Sequence, residues 1–171
     1  MTGATQAAAE GAKIDAKTFW RALGMRAVGV SVVTAQGQDG PAGFLALSAT
    51  HVTADPPSML VSIDERTNAL QAVLHSRHFA INYLASSDQE LADSFGGRGP
   101  LKGTDRFQPG RWRTLATGAP ILHGAIGAID CELADTFRYE KTTIAVGRVA
   151  AFSLSERRDA LVFFGGGYRT V

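Results

Sequence analysis

Residues 43–68 of the chain have the sequence GFLALSATHVTADPPSMLVSIDERTN. Two apolar segments of strand-like composition lie on either side of a double-proline corner, Pro56 and Pro57. Proline has no backbone N–H, so we expect both prolines at the corner and not within either strand. Thr67 follows a short polar loop and is a suitable N-cap for a helix that extends to about Ser76. This stretch therefore predicts a strand, a tight corner, a second strand and a helix.

Polar side chains are concentrated at the end of the first strand and at the start of this helix. Ser48 and Thr50 lie in the first region, and Arg66, Thr67 and Asn68 lie in the second. Their side chains can converge on an anionic group, and the free N–H groups and dipole of a helix start add to that attraction. The alternative is that Thr67 is only an N-cap and Arg66 only a solvated charge.

The composition is that of an ordinary globular domain without a strong charge bias. Seventeen basic and sixteen acidic residues leave a formal charge of +1, which gives no electrostatic reason to expect nucleic acid or a membrane as a partner. No apolar run reaches the length of about 18 residues that spans a bilayer. The single cysteine, Cys131, cannot form an internal disulfide, which agrees with a cytoplasmic location. We expect residues 1–14 to be a mobile tail and residues 15–171 to be one domain.

The rest of the chain alternates strand-like segments with short helical ones. Asp15 can cap a helix that stops at Gly24, and capping-box spacing from Ser87 to Glu90 predicts another helix that ends at Gly96. The helix after Thr67 should bury Leu70, Val73 and Leu74, and the later helix should bury Leu91 and Phe95. Further strands are expected at residues 28–35, 78–84, 111–117, 124–133, 142–152 and 161–164.

The element pattern predicts the fold class. Many short strands with only short helices favour a mainly antiparallel sheet, and we expect a closed or nearly closed β-barrel with helices at its ends. Residues 96–110 are rich in glycine and charge, which is typical of a functional loop or a flap.

Neither a metal site nor a protein nucleophile is indicated. The four histidines show no metal-ligand spacing with a third partner, so we expect no metal. Cys131 lies in an apolar strand and is interpreted as a core residue. The glycine clusters at residues 96–99 and 165–168 do not match a dinucleotide-binding pattern.

Several segments together resemble the flavin reductase-like, FMN-binding split-barrel family. The family's usual sequence pattern here is Gly-Phe-Thr-Ala-x-Ser-x-x-x-Val-Ser-x-Asp-Pro-Pro. This chain matches it from Gly43 to Pro57, although Leu45 replaces a threonine and His51 replaces a small polar residue. The segments RALGMRAVGVSVVTA, FAINYLASSDQELADSFG, TDRF, GAPILHGAIGAIDCEL and FFGGGYRTV follow the family's order and spacing. The likeness extends from Phe19 to Val171.

The resemblance implies a fold, an activity and partners. It implies an antiparallel Greek-key split β-barrel with short flanking helices, and a homodimer. It also implies an NAD(P)H:flavin oxidoreductase that binds FMN, or alternatively FAD, and supplies reduced flavin to a partner monooxygenase. Two alternatives remain open: an FMN-dependent corrinoid or ferric reductase, and a flavin-binding split barrel without efficient turnover.

The resemblance also implies a set of cofactor-binding residues. Ala46, Leu47 and Ser48 would run beside the flavin ring, and Tyr168 would stack on it or close the pocket. Asn82 has two interpretations of equal weight, a flavin contact or a satisfied amide in the core. Arg106 can steer an anionic nicotinamide cofactor or can be an ordinary surface charge. The complete predicted set is Ala46, Leu47, Ser48, Ala49, Thr50, Arg66, Thr67, Asn68, Asn82, Arg106 and Tyr168.

Two departures from the family pattern concern the nicotinamide side of the site. The family usually carries Gly-Asp-His before the last long strand, and Glu140, Lys141 and Thr142 stand there in this chain. Gly167 stands where an arginine often precedes the terminal tyrosine. Hydride transfer between nicotinamide and flavin needs no protein nucleophile, so the sequence assigns no catalytic residue.

Overall fold

The computed structural model describes residues 13–171. The tail predicted for residues 1–14 lies almost entirely outside the described residues. The helices are α1 (Ala16–Leu23), α2 (Asn68–Ser76) and α3 (Gln89–Phe95), with single 3₁₀ turns at Ser86–Asp88 and Gly103–Arg106. The strands are β1 (Val28–Gly29), β2 (Ser31–Gly37), β3 (Gly40–Ala46), β4 (Thr50–Ala54), β5 (Pro57–Asp64), β6 (His78–Tyr83), β7 (Trp112–Arg113), β8 (Ile121–Leu122), β9 (Gly127–Tyr139), β10 (Thr142–Leu154), β11 (Leu161–Phe164) and β12 (Gly167–Thr170).

One antiparallel sheet organises the described chain. It has seven strands in the order β3-β2-β6-β9-β10-β5-β4. A three-stranded sheet, β1-β11-β12, and a two-stranded sheet, β7-β8, flank it. The mainly β, antiparallel fold predicted from the sequence is confirmed. The two edge strands, β3 and β4, are not hydrogen-bonded to each other, although only residues 47–49 separate them in sequence.

The core lies on both faces of β2. Val33 packs into a cluster with residues of β5, β6 and α2, whereas Val32 packs on the opposite face with Leu84 and Phe95. Adjacent side chains of a strand point to opposite faces, so a strand buried on both sides needs an unbroken apolar run. This explains the continuous β-branched segment in the sequence.

The packing of core side chains against β10 requires glycine at position 147. A Cβ placed on Gly147 of β10 would lie 2.6 Å from Cε1 and Cζ of Phe79 and 2.7 Å from Cβ of Cys131. Only glycine fits this position without moving the core.

Some predicted elements differ from the structure. Residues 111–117 form a strand only at Trp112–Arg113, because the rest runs as a loop tied to Asp130 by Thr117. The predicted strand at 43–50 ends at Ala46, and β4 is a separate exposed strand. Pro57 begins β5 instead of lying outside it, as a first strand position permits. Leu74 is 37% exposed and belongs to the outer face of α2.

Candidate functional site

A cleft of ≈ 530 Å³ opens between the end of β3, at one edge of the seven-stranded sheet, and the end of β5, the neighbour of the other edge strand. One side is the end of β3 with the turn after it, from Phe44 to Ser48. The opposite side is the end of β5, with Ser62 and Asp64, followed by Thr67. Trp20 and Leu23 of α1, together with Phe95, Phe163 and Thr142, complete the lining. The volume lies in the range of about 300–1,000 Å³ that is typical of ligand pockets.

The turn at residues 47–49 leaves its backbone donors available. It belongs to no strand, and the N–H groups of Leu47, Ser48 and Ala49 make no hydrogen bond within residues 13–171. Ser48 anchors the turn across the cleft, because its Oγ accepts from the Ser62 N–H at 3.2 Å and donates to the Ser62 carbonyl at 3.4 Å. A ligand with acceptor atoms along a flat edge can use such donors, because buried N–H groups need a partner.

The entrance to α2 supplies a free hydroxyl. Thr67 has extended φ and ψ angles, as an N-cap does, but its side chain makes no capping hydrogen bond. Thr67 is thus the N-cap residue of α2, as predicted, but without the side-chain hydrogen bond that an N-cap threonine usually makes. Its hydroxyl remains available to a ligand, at the end of the helix where anions are favoured.

The charges beside Thr67 neutralise each other. Arg66 donates to both carboxylate oxygens of Asp64, at 2.9 and 2.8 Å, and the Arg66 N–H donates to the same group at 2.9 Å. These hydrogen bonds, with the side-chain bond as the largest cause, hold the pKa of Asp64 well below its usual range. Arg66 is exposed, and an exposed pair of this kind contributes little to stability. The unpaired positive charge at the rim is Arg26, whose Nη2 lies 3.5 Å from the Leu47 carbonyl oxygen.

An aromatic wall closes one end of the cleft. The ring of Phe95 packs edge-on against Phe107 and Trp112, with centroid distances of 5.3 and 5.8 Å. The guanidinium carbon of Arg106 lies 4.7 Å from the centroid of the same ring. Burial lowers the pKa of Arg106, but a guanidinium stays charged in any case. Phe95 is therefore held rigidly, as a wall for a flat ligand requires.

Helix α1 covers the other end of the cleft and is only lightly attached. It buries none of its residues, and Trp20 is 62% exposed although it lines the cleft. The carbonyl of Gly24, just after the helix, accepts from the N–H of Gly165 at 2.8 Å. A helix with an exposed aromatic over an apolar cleft can adjust to a bound ring.

The structure brings four of the predicted cofactor-binding residues into the cleft: Ala46, Leu47, Ser48 and Thr67. Ala49 packs beside them against the core, and Arg66 points into its pair with Asp64. Thr50 lies outside the cleft lining, on the exposed strand β4. Asn68 and Arg106 line a second, neighbouring cavity.

Tyr168 lies just behind the cleft lining. Its hydroxyl donates to Asp93 at 3.2 Å and accepts from Arg98 at 2.8 Å, and its ring packs edge-on against Phe163, 5.9 Å between centroids. Burial raises the pKa of Tyr168, while the Arg98 charge opposes that rise. In this structure the hydroxyl of Tyr168 is held by Asp93 and Arg98 and its ring supports Phe163, and stacking on the flavin or closure of the pocket stays a prediction.

Asn82 is placed in the core and not in the cleft. Its side chain is fully buried, and its amide donates to the carbonyls of Val32 and Pro120 and to the hydroxyl of Thr34. Its carbonyl accepts from the N–H of Leu122 at 2.8 Å. Both the amide NH₂ and the carbonyl oxygen of its side chain thus have partners within the protein. Of the two interpretations, the structure agrees with the satisfied core amide. The flavin contact is corrected, because the side chain of Asn82 does not line the cleft.

Sequence reasoning missed most of the cleft lining. The lining residues outside the predicted set are Trp20, Leu23, Gly24, Arg26, Val28, Phe44, Leu45, Ser62, Asp64, Phe95, Gly96, Thr142 and Phe163. They come from six separate segments, so no local pattern groups them. The alternation along β5 was the one available signal, because Ser62 and Asp64 are the polar, half-buried partners of buried Val61 and Ile63.

The arrangement suits a planar heteroaromatic ligand with an anionic tail. Apolar walls can enclose a ring, the turn N–H groups can meet acceptors on its edge, and Thr67 lies at a helix start that favours an anion. No cluster of metal-ligating side chains occurs within residues 13–171. The thiol of Cys131 is buried elsewhere, and burial raises its pKa to about 12.

Comparison with known protein families places this cleft in context. The model of the flavin reductase like domain matches residues 24–171. The chain belongs to this family. The resemblance found in the sequence is thus confirmed.

Relatives of this flavin reductase-like chain match along most of its length. The FMN reductase (NADH) RutF of Bradyrhizobium diazoefficiens is 37% identical over 142 residues, which cover 83% of this chain and 78% of the relative. BorF, the flavin reductase component of a bacterial two-component tryptophan halogenase, superposes with a TM-score of 0.83 at 31% identity, over 92% of this chain and 98% of its own. The NADH:FAD oxidoreductase SgcE6 of Streptomyces globisporus C-1027 gives 0.81 at 28% identity, over 93% and 96%.

Thr142, which the sequence comparison predicts to stand at the position of the family's histidine, lies in the cleft. It begins β10, pairs in register with Asp64 of β5, and lines the cleft. The turn before it contains Glu140 with a positive φ of 51°, and the carbonyl of Lys141 accepts from the N–H of Glu65 at 2.9 Å.

Among the described residues, no helix has both the length and the apolar character needed to cross a membrane.

Proposed function

We propose that this protein is an NADH-dependent FMN reductase that supplies reduced flavin to a partner monooxygenase. The observation that carries the proposal is the cleft at the open edge of the sheet, with unpaired N–H groups at residues 47–49 and the free Thr67 hydroxyl. The relative RutF is named as an FMN reductase that uses NADH, and BorF as the reductase component of a two-component halogenase. Both names agree with the chemistry that the cleft supports.

The chain's own residues would hold and orient the flavin. The turn N–H groups at Leu47, Ser48 and Ala49 would meet the polar edge of the ring, while Phe95 and Trp20 enclose it. Thr67 and the N–H groups of the α2 start would take the phosphate. The bound flavin supplies the hydride-accepting chemistry, so the protein contributes positioning and exclusion of water. FAD is the alternative cofactor, and SgcE6 is named as an NADH:FAD oxidoreductase.

We further infer that residues 15–171 form one domain with the topology of a Greek-key split barrel. Edge strand β3 and strand β5, the neighbour of edge strand β4, would face each other across the cleft, with Ser48 bridging to Ser62 of β5. Short α-helices flank the sheet, and the cleft is the split.

We also propose that the protein forms a homodimer and is located in the cytoplasm. Large apolar side chains of β9 and β10 are exposed, including Phe137 at 55%, Tyr139 at 74%, Phe152 at 66% and Leu154 at 79%. Phe137 and Tyr139 lie near the turn of the β9–β10 hairpin and Phe152 and Leu154 lie at its far end, so each exposed pair is a separate apolar position for a partner copy to cover. Size-exclusion chromatography with light scattering should give twice the 18.1 kDa chain mass. The unpaired thiol of Cys131 and the use of NADH suit a reducing compartment.

One observation favours a second candidate, a flavin-binding protein without efficient turnover. Thr142 lies in the cleft where the family usually has a histidine. A threonine hydroxyl can donate and accept hydrogen bonds, but it cannot carry a positive charge as an imidazolium can. Loss of that charge would weaken docking of the anionic nicotinamide cofactor and leave flavin binding intact.

The test is a visible absorption titration with FMN, followed by anaerobic addition of NADH. We expect a perturbed flavin spectrum at saturation and then bleaching at a catalytic rate. Absence of any spectral change with FMN would contradict both candidates. Binding without bleaching, by either NADH or NADPH, would favour the second candidate. Oxygen-dependent NADH consumption that rises with added FMN would separate turnover from a single reduction.

A further inference from the structure

Arg26 carries the one charge of the cleft lining that no other described residue compensates. The only other charged side chain of the described lining is Asp64, whose carboxylate accepts three hydrogen bonds from Arg66. Arg26 makes no ion pair within residues 13–171, and its side chain makes one hydrogen bond, from Nη2 to the Leu47 carbonyl oxygen at 3.5 Å. The cleft therefore has a positive charge on the side of Arg26.

The chain between α1 and β1 directs Arg26 toward the cleft. Gly24, Arg26 and Val28 line the cleft, whereas the two residues between them do not, as in an extended segment that turns alternate residues to one side. The carbonyl of Gly24 accepts from the N–H of Gly165 at 2.8 Å. Val28 pairs with Phe163 of β11. Backbone contacts on both sides of Arg26 therefore fix its place at the rim.

The guanidinium of Arg26 lies at the turn that offers backbone donors to a ligand. Residues 47–49 have three N–H groups without a hydrogen bond in the described chain, and the Arg26 Nη2 lies 3.5 Å from the Leu47 carbonyl oxygen of the same turn. In the proposed function these N–H groups meet the polar edge of the flavin ring. A guanidinium is not deprotonated in proteins, so Arg26 is a permanent positive charge beside that edge.

We propose that Arg26 stabilises the negative charge that the flavin ring carries when reduced, so that the cleft binds reduced flavin more tightly than oxidised flavin. A hydride brings two electrons and one proton to a neutral ring, which leaves one negative charge on the N1 side of the polar edge. A charge near N1 is one means by which a protein tunes a flavin. The inference rests on the proposed function, because the cleft must hold the ring with this edge toward residues 47–49.

The test measures Kd for oxidised FMN and, anaerobically, for chemically reduced FMN in the full chain. R26Q removes the charge and R26K keeps it, while R113Q removes an equal charge from exposed β7 outside the cleft. In R26Q, Kd for reduced FMN should rise by at least about tenfold and Kd for oxidised FMN should stay within about twofold. A tenfold change in this ratio lowers the midpoint potential of bound FMN by about 30 mV. R26K should lie between the wild type and R26Q, and R113Q should match the wild type.

The pH dependence supplies a second readout, which a purely structural role of Arg26 would not change. The reduced ring becomes neutral when N1 takes up a proton, so the difference between wild type and R26Q in Kd for reduced FMN should shrink as the pH falls through that protonation. The described cleft lining contains no histidine, and its hydrogen bonds with Arg66 keep the pKa of Asp64 well below the usual range. The change with pH therefore reports on the ring.

Two results would overturn the inference and leave the proposed function in place. An equal loss of affinity for oxidised and reduced FMN in R26Q would assign Arg26 to the phosphate or to the shape of the cleft. Unchanged Kd values for both forms in R26Q would mean that the guanidinium does not reach the ring. A wild-type chain that binds neither form of FMN would overturn the inference together with the proposed function. None of these measurements requires NADH or turnover.

Discussion

Thr67 and Asn82 are both predicted to bind the cofactor, but their side chains have different surroundings in the folded chain. The Thr67 hydroxyl makes no capping bond and lines the cleft, whereas the Asn82 amide is saturated by the core. Sequence position cannot separate these roles, because both residues lie next to apolar runs. Substitution can separate them, since one role affects ligand affinity and the other affects folding.

Replacing Thr67 with valine should weaken FMN binding without weakening the fold. Valine has the shape of threonine but no hydroxyl, and a lost hydrogen bond to a charged group costs about 1.5–3 kcal/mol, or roughly tenfold or more in Kd. The free energy of unfolding should change by less than about 0.5 kcal/mol, because no cap is lost. T170V on exposed β12 is the control and should leave Kd unchanged. A large loss of stability in T67V would mean that the hydroxyl caps α2 after all.

Replacing Asn82 with leucine should weaken the fold without weakening FMN binding. The buried N–H of Leu122 and the hydroxyl of Thr34 would lose partners, and each unsatisfied buried group costs about 1–3 kcal/mol. Chemical denaturation should show that loss in the free energy of unfolding, while FMN Kd of the folded protein stays within about twofold. A stable N82L with weakened FMN affinity would restore the flavin contact as the role of Asn82.

At the scale of elements, the cleft depends on parts that meet only through the sheet. Strands β3 and β5 supply opposite sides, and α1 lies over the opening without burying a residue. The register of β10 against β5 then fixes Thr142 opposite Asp64. The rigid parts thus shape the cleft, and α1 is the part most able to move.

Trp20 on α1 should report on the ligand and help to bind it. Ring contacts of this kind add about 0.5–1.5 kcal/mol, so W20L should raise FMN Kd by roughly twofold to tenfold. M25A is the control, because Met25 is exposed just after the same helix and outside the cleft lining. Tryptophan fluorescence of the wild type should fall on FMN binding, and the fall should be smaller in W20L. Equal quenching in both proteins would assign the signal to Trp112.

At the scale of the whole molecule, the described core is protected by burial on both faces of the sheet. Cys131 of β9 is completely buried beside Phe79, its pairing partner on β6. Burial, with a smaller contribution from the Asp130 charge, raises the pKa of this thiol to about 12. The thiolate, which is the reactive form, is therefore scarce in the native state.

A thiol reagent should consequently measure opening of the fold. At pH 8 we expect native protein to resist labelling for far longer than protein unfolded in denaturant, because Cys131 must be exposed before it reacts. Saturating FMN should slow labelling further, by about 100-fold at a free ligand concentration of 100 Kd if global opening limits the rate. Mass spectrometry of the labelled chain provides the readout. Rapid labelling of the native protein would show that β9 opens locally.

The sequence by itself determined the mainly antiparallel β fold, the helix entrance at Thr67 and the family. These follow from local rules: side-chain alternation, capping, the missing N–H of proline, and an ordered set of short motifs. Only the tertiary structure decided which residues form the cleft. Trp20, Phe95, Thr142 and Phe163 are far apart in sequence and meet there because strand register, helix packing and burial bring them together.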